Sequence, residues 1–464
     1  MTVAIPAERD PYALAPEDVK EPPRGWRASL RYLGPGLVTS ASIVGSGELI
    51  VTTTLGAQVG FVLLWLVVVA TLVKVALQVE LARWTITTGR TAVTGFNTIS
   101  GRIGSLAWPN VILAILAVAK VLQSGAVVGG VALAMSFLLP IGSPDSVGST
   151  TFWVAVVVVS TVVLLYSNRY RRLEKLAIGM VVVFSVLTVL IAVGLPFTDF
   201  GYTADDVLRG MEFAVPPGAL GAAVAMFALT GVAAEEMTLY TYWCIEKGYA
   251  RWTGPDDGSP EWAARARGWI GVMQKDAMVS WVVYTFSTLA FYLMGAAVLH
   301  SQNIVPEGDS EMIDALSRLY SDTLGEWATA IFLIGAVAVL LSTLWVGVAA
   351  WGHIMTDLMS NARLIDWTDR ASRETWFKVF TVALPVAWGA SYLFIRLPVV
   401  MVQITGIVSG CFLLATMVAI WMLRRSTPRH LRGGAAFTVA LVVSSLAIAL
   451  IGAYTIASAF GLEL

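Results

Sequence analysis

The chain has 464 residues, of which 57% are hydrophobic and only 13% charged, against about 25% charged in an average soluble domain. That balance excludes an ordinary water-soluble enzyme, and 30 Lys and Arg against 31 Asp and Glu leave no excess from which a basic face for nucleic acid could be built. The two cysteines, Cys244 and Cys411, both sit in apolar stretches, which excludes a disulfide framework or a cysteine-rich metal site.

In chain order, residues 1–28 are polar and carry Pro6, Pro11, Pro16, Pro22 and Pro23. They lack the apolar core of a signal peptide and read as a disordered tail. Beyond them, apolar runs of 18 or more residues recur, each long enough to cross a hydrocarbon layer of about 30 Å. Eleven spans are expected, at 33–57, 61–86, 109–139, 151–168, 174–196, 218–244, 270–299, 327–353, 376–395, 397–423 and 434–460. The chain is therefore expected to be an all-α polytopic membrane protein, with one transmembrane domain over 29–464. No loop is large enough to fold separately, so the chemistry belongs inside the membrane, in contact with lipid. No obligate protein partner is evident.

Charge position fixes an orientation. With the N-terminus inside, the tail and the loops at 83–102, 169–175, 247–275, 363–378 and 424–432 hold 25 of the 30 basic residues. Only Arg209, Arg318 and Arg396 fall outside, and Lys74 and Lys120 lie within spans. By the positive-inside rule the N-terminus is expected to be cytoplasmic and the C-terminus extracytoplasmic.

Two spans are interrupted. The first carries Gly34-Pro35-Gly36 near its start and Gly45-Ser46-Gly47-Glu48 in its middle; the sixth follows Pro216-Pro217-Gly218 and carries Gly231 and then Glu235-Glu236 near its centre. An ionisable side chain at a helix centre costs roughly 2.5–3.5 kcal/mol, so Glu48, Glu235 and Glu236 together represent roughly 7–10 kcal/mol. Protonation, pairing with Lys74 or Lys120, or a bound cation could offset that cost. Glu48 and Glu235 are 187 residues and five spans apart. Five is odd, so the halves (29–196 and 216–423) are expected to run in opposite senses, with 434–460 as an extra helix. This is the inverted-repeat pattern of transporters whose discontinuous helices meet at a midplane site. Unwinding there would free backbone carbonyls, at Gly45 and Val232 for example, to coordinate a cation beside the acidic side chains.

The stretch from Tyr32 to Trp65, YLGPGLVTSASIVGSGELIVTTTLGAQVGFVLLW, resembles the start of the Nramp divalent-metal transporters. The likeness continues through LQVELARWTITTG at 77–89, Thr238-Leu239-Tyr240, and STLWVGVAAWGHIM at 342–355. It implies a LeuT-like fold of two inverted five-helix repeats plus one helix, with helices 1 and 6 broken and alternating access to a central cation site. The motifs also depart from the family pattern. Where Nramps carry Asp-Pro-Gly-Asn, this chain has Gly45, Ser46, Gly47 and Glu48, so the metal-binding aspartate is lost. Where they carry methionine before Pro-His-Asn, it has Glu235, Glu236, Met237 and Thr238. A soft thioether has become a hard carboxylate, which suits Mg²⁺, Ca²⁺ or Mn²⁺ better than iron. The Nramp-related magnesium transporters similarly lack the methionine. The acidic residues that conduct protons in the third Nramp helix align with Leu122 and Gly125, and the sixth-helix histidine with Met237, which implies gradient-driven uptake without the usual proton route.

The expected function is thus transport of a divalent cation, Mg²⁺ or Mn²⁺ before Fe²⁺, with Glu48 and Glu235 as metal ligands. Glu236, Gly45 and Val232 belong to the same site, and so does Gln403, near where Nramps place a shell-completing glutamine. The cation is cargo, and no resident cofactor is expected. Each residue also has a plainer reading. Glu48 could cap a half-helix. Glu235 and Glu236 diverge by about 100° on a helix, so one of them could be structural. Lys74, Glu80 and Lys120 could only tie helices together, or supply a built-in cation near the path. Gln403 could pack, and Gly125 with Gly129 reads as close helix packing. Tyr240, Tyr242 and Trp243 could be an interfacial belt or line a pocket for an organic cation. A LeuT-fold transporter of an amino acid or amine, or a receptor-like member that does not transport, are the alternatives. No paired histidine motif or phosphate-binding loop points to an enzyme.

Overall fold

The computed structural model describes residues 10–143, 146–166, 170–216, 218–305 and 309–459, nearly all of the regular structure being helical. Among them, nine helices are long and apolar enough to cross a membrane, ten when Pro35–Ile43 and Glu48–Val59 are joined as one bent span. The expected fifth span corresponds to the helix Tyr170–Gly194, apolar over Val181–Phe197.

Helix starts follow local chemistry. Proline, which has no N–H to lose in the first turn, opens the first span at Pro35, the third just after Trp108, and the tenth at Pro398. The seventh starts at Pro260 behind Ser259, whose hydroxyl accepts from the Trp262 N–H, an N-cap that satisfies an otherwise orphaned donor. The second span, Leu64–Thr88, ends on Gly89 in the left-handed conformation (φ +68°).

Packing pairs the second, third and fourth spans with their counterparts five positions on. The second lies against the seventh (Pro260–Met294), the third (Trp108–Leu138) against the eighth (Trp327–Asn361), and the fourth (Val147–Tyr166) against the ninth (Arg370–Ile395). The third also packs along the tenth, Pro398–Arg424. That is the arrangement expected of two interlocked five-helix repeats, and Ala435–Ala459 lies outside them against the second and tenth spans. Gly125 and Gly129 allow the close approach of the third span to the ninth: a Cβ on Gly129 would sit 2.0 Å from the Tyr392 ring, and one on Gly125 2.1 Å from the Ser391 hydroxyl.

The structure departs from the sequence expectation at the N-terminus. Residues 1–9 lie outside the described residues, but 10–28, expected to be a disordered tail, form a strap across one end of the bundle. Asp10 pairs with Arg373 at 2.6 Å, the Tyr12 hydroxyl donates to Glu246 at 3.0 Å, and the backbone of Lys20 exchanges hydrogen bonds with Trp252 and Trp269. Between the seventh and eighth spans, the helix Asp309–Leu324 buries Ile313, Leu316, Leu319 and Tyr320. A two-residue antiparallel pair joins Arg102–Ile103 to Leu106–Ala107.

Candidate functional site

The two interrupted spans break differently. The first stays helical but widens into a π-helix over Val44–Thr52, and its two ends bend by 43°. Such bulges recur at functional sites. Gly45 lies in this stretch because nothing larger fits: a Cβ there would meet the Thr343 hydroxyl at 2.1 Å. The sixth span is truly discontinuous. Leu220–Leu229 ends, Thr230 to Ala233 run non-helically with Gly231 at φ +66°, and Ala234–Lys247 begins. Val232 is in this link and fully buried.

The three core glutamates go to three different environments. Glu48 is fully buried and clamps the two breaks together: its Oε1 accepts from the Gly231 N–H at 3.0 Å and its Oε2 from the Thr52 hydroxyl at 3.2 Å. Thr52 in turn lies 3.3 Å from the Thr230 hydroxyl. Glu235, also fully buried, forms an ion pair with Lys120 at 2.5 Å and accepts from Ser409 at 3.3 Å, while Lys120 donates to Gln123 at 2.5 Å. Glu236, one residue on and therefore turned away, is half-buried and its Oε2 has no hydrogen-bond partner. Both carboxylates occupy the first turn of Ala234–Lys247, where the positive end of the helix dipole favours negative charge.

Glu236 opens into a small cavity whose other polar lining is Ser42, Lys120, Gln123, Ser124 and Thr343, with Trp351 and Trp388 among its apolar walls. Its volume of about 30 Å³ has room for one or two water molecules. Of the residues expected at the site, Glu236 lines this cavity; Glu48, Glu235, Gly45, Val232 and Gln403 do not. The tenth-span side chain that reaches the acidic turn is Ser409, six residues beyond Gln403. Ser42, Ser124, Thr343 and the two tryptophans were not legible as site residues, because serine, threonine and tryptophan in apolar helices carry no signal of their own.

Lys74 is fully buried and meets carbonyl oxygens: it donates to Phe227 at 2.5 Å, to Thr230, and to Ala228 at 3.4 Å. Glu80 belongs elsewhere, pairing with Arg83 at 3.1 Å and Arg424 at 2.5 Å. The aromatic residues after the break are neither belt nor pocket. The Tyr240 hydroxyl donates to Asp276 at 2.8 Å and that of Tyr242 to Asp357 at 2.6 Å. Asp276 also accepts from the backbone N–H groups of Gly34 at 2.7 Å and Gly36 at 2.6 Å, so it caps the start of the first span. Asp357 accepts in addition from the Thr91 and Thr94 hydroxyls. These two buried carboxylates lock the second half of the sixth span to its neighbours.

Comparison with known proteins agrees with this architecture. The family profile described as "Natural resistance-associated macrophage protein-like" matches residues 36–458. A divalent metal cation transporter, MntH of Mycobacterium tuberculosis, is 26% identical over 337 residues, covering 72% of each chain. The metal transporter Nramp1 of Populus trichocarpa is 26% identical over 369 residues, covering 76% of this chain and 62% of that one. Among solved structures, the Eremococcus coleocola manganese transporter, crystallised as a point mutant, superposes with a TM-score of 0.68 at 16% identity over 97% of this chain and 92% of its own. Mhp1, a nucleobase-cation-symport-1 family transporter in a closed conformation, gives 0.53 at 15% identity over 95% and 92%. The fold is thus LeuT-like, the protein is a multi-pass membrane protein, and the chain belongs to the Nramp family.

Proposed function

We propose that the protein is a transporter that moves a divalent cation by alternating access, Mg²⁺ or Mn²⁺ in preference to Fe²⁺, with Glu236 as the charged ligand. The observation that carries this reading is the unpartnered Glu236 Oε2 at a cavity whose neutral donors are hydroxyl and amide oxygens. Hard oxygen donors of that kind suit Mg²⁺ and Mn²⁺, and no thioether or thiolate lines the cavity to favour a softer metal. Among the described residues no group of three or more His, Cys, Asp or Glu side chains could hold a metal ion. A cation at Glu236 would therefore take one carboxylate and complete its shell from the neutral oxygens and the one or two waters the cavity has room for. The relatives named for divalent metal and manganese support the cargo class.

Transport is proposed to be downhill and uncoupled from protons, since Leu122, Gly125 and Met237 stand where the family's proton-handling residues align. The N-terminus is proposed to be cytoplasmic on the distribution of basic residues. Purified protein in liposomes tests the ligand and the uncoupled route. Saturable Mg²⁺ or Mn²⁺ uptake without internal acidification is expected, with uptake lost in Glu236→Gln. A folded Glu236→Gln protein that transports at the original rate sinks the ligand assignment, and robust substrate-driven acidification sinks the uncoupled route. Trp351 and Trp388 beside a carboxylate also suit a small organic ammonium. Competition by a panel of amines in the same assay decides between the two cargoes.

A further inference from the structure

The half-helix Leu220–Leu229 ends in the middle of the bundle, where its last carbonyls have no intrahelical partner and present the negative end of the helix dipole. In water such an end would be solvated; at membrane depth it has to be satisfied by the protein or by a bound ion. Here an ammonium does it. Lys74 reaches in from the second span and places Nζ against the carbonyls of Phe227, Ala228 and Thr230, three acceptors for its three N–H donors. The Phe227 ring centroid lies 5.1 Å away, and the side chain is fully buried. Among the described residues no carboxylate stands within 4 Å of Nζ. The Glu48 clamp lies one residue further along the same link, on the Gly231 N–H.

We propose that Lys74 is the tethered occupant of a monovalent-cation site, of ammonium or potassium size, formed by the carbonyl end of the first half of the sixth span. The tether keeps that site permanently filled, so the broken span holds its shape without an inorganic monovalent ion and the transport cycle has no need of one. The inference concerns the break in the sixth span and stands whatever the cargo at Glu236.

Truncation to alanine tests it, because Lys74→Ala deletes the atoms of one propylammonium ion and leaves the carbonyls in place. Thermal unfolding of the purified variant in detergent is measured at constant ionic strength with propylammonium, potassium or tetramethylammonium chloride. The expected result is a lowered melting temperature, of which propylammonium restores about half or more with saturable dependence on its concentration, as for a ligand that binds only the folded state. Potassium restores less, tetramethylammonium nothing, and wild type responds to none of them. A folded variant indifferent to propylammonium, or a response equal to that of wild type, overturns the proposal.

If Lys74→Ala yields no monodisperse protein even when purified in propylammonium, the comparison of Lys74→Met with Lys74→Met/Glu48→Gln decides. An uncapped carbonyl end stays uncapped in both, so neutralising Glu48 should leave most of the loss in melting temperature. Full recovery would mean that Lys74 is only a counter-charge to Glu48, and the proposal fails.

Discussion

Glu235 and Glu236 are adjacent in sequence and differ in what they meet, and the reason is the first turn of a helix. At about 100° per residue, one carboxylate pairs with Lys120 while the next turns into the cavity that Lys120 also lines. The sequence left that choice open and leaned toward Glu235 as the ligand, because the family alignment places Glu235 on the metal-binding methionine and says nothing of what Lys120 approaches. The Lys120–Glu235 pair makes its own prediction. Removing one partner of a buried pair leaves an uncompensated charge at a cost of about 3–5 kcal/mol, whereas removing both is often neutral. Lys120→Met should therefore depress the thermal unfolding midpoint sharply, and Lys120→Met/Glu235→Gln should recover most of it. If the double variant is as unstable as the single one, Lys120 acts through packing rather than through Glu235.

At the scale of elements, hydropathy located the spans well and their ends poorly. The expected 61–86, 109–139 and 397–423 agree with Leu64–Thr88, Trp108–Leu138 and Pro398–Arg424 to within three residues. The seventh span was expected to start at 270, yet its helix begins at Pro260, ten residues earlier. Those first turns carry Glu261, Arg265 and Arg267, which a test for membrane crossing rejects although a Ser259 cap favours helix. The same blindness hid Asp309–Leu324, whose apolar stripe is interleaved with charge. Glycine spacing was more informative. The reading of Gly125 and Gly129 as close packing is what the ninth span requires, since Tyr392 and Ser391 fill the space a Cβ would take. Gly129→Ala should cost about 1–3 kcal/mol by overpacking, despite the better helix propensity of alanine. Gly148→Ala, where a Cβ meets nothing within 4 Å, should be neutral or slightly stabilising. Unfolding midpoints of the two variants side by side check this. Equal behaviour would mean that the third and ninth spans separate more easily than their contact suggests.

For the whole molecule, the strap at residues 10–28 turns a local contact into a property of one end of the bundle. Asp10 and Tyr12 line the mouth of a second cavity together with Glu246, His353, Trp367 and Arg373. Each side chain there bridges different elements: Asp10 to Arg373 on the ninth span, Tyr12 to Glu246 on the sixth, and His353 on the eighth to the same Glu246 carboxylate at 3.0 Å. Arg373 also lies over the Tyr12 ring at 5.0 Å and the Trp367 ring at 5.1 Å. The proposed alternating access requires repeat elements to move against one another at each end in turn, and a strap joining the sixth, eighth and ninth spans is expected to oppose that motion at this end. Composition hid it, because a proline-rich polar segment carries no apolar period and its side-chain anchors at this cavity, Asp10 and Tyr12, meet residues more than 200 positions away. Single partly exposed ion pairs contribute little, so Asp10→Ala alone should change little. Asp10→Ala/Tyr12→Phe removes both anchors while keeping the ring. A cysteine at Thr381, on the cavity wall, should then react severalfold faster with a membrane-impermeant maleimide applied from the strap side, in a background with Cys244 and Cys411 replaced by serine. An unchanged rate would show that the two anchors do not limit access to this wall of the cavity.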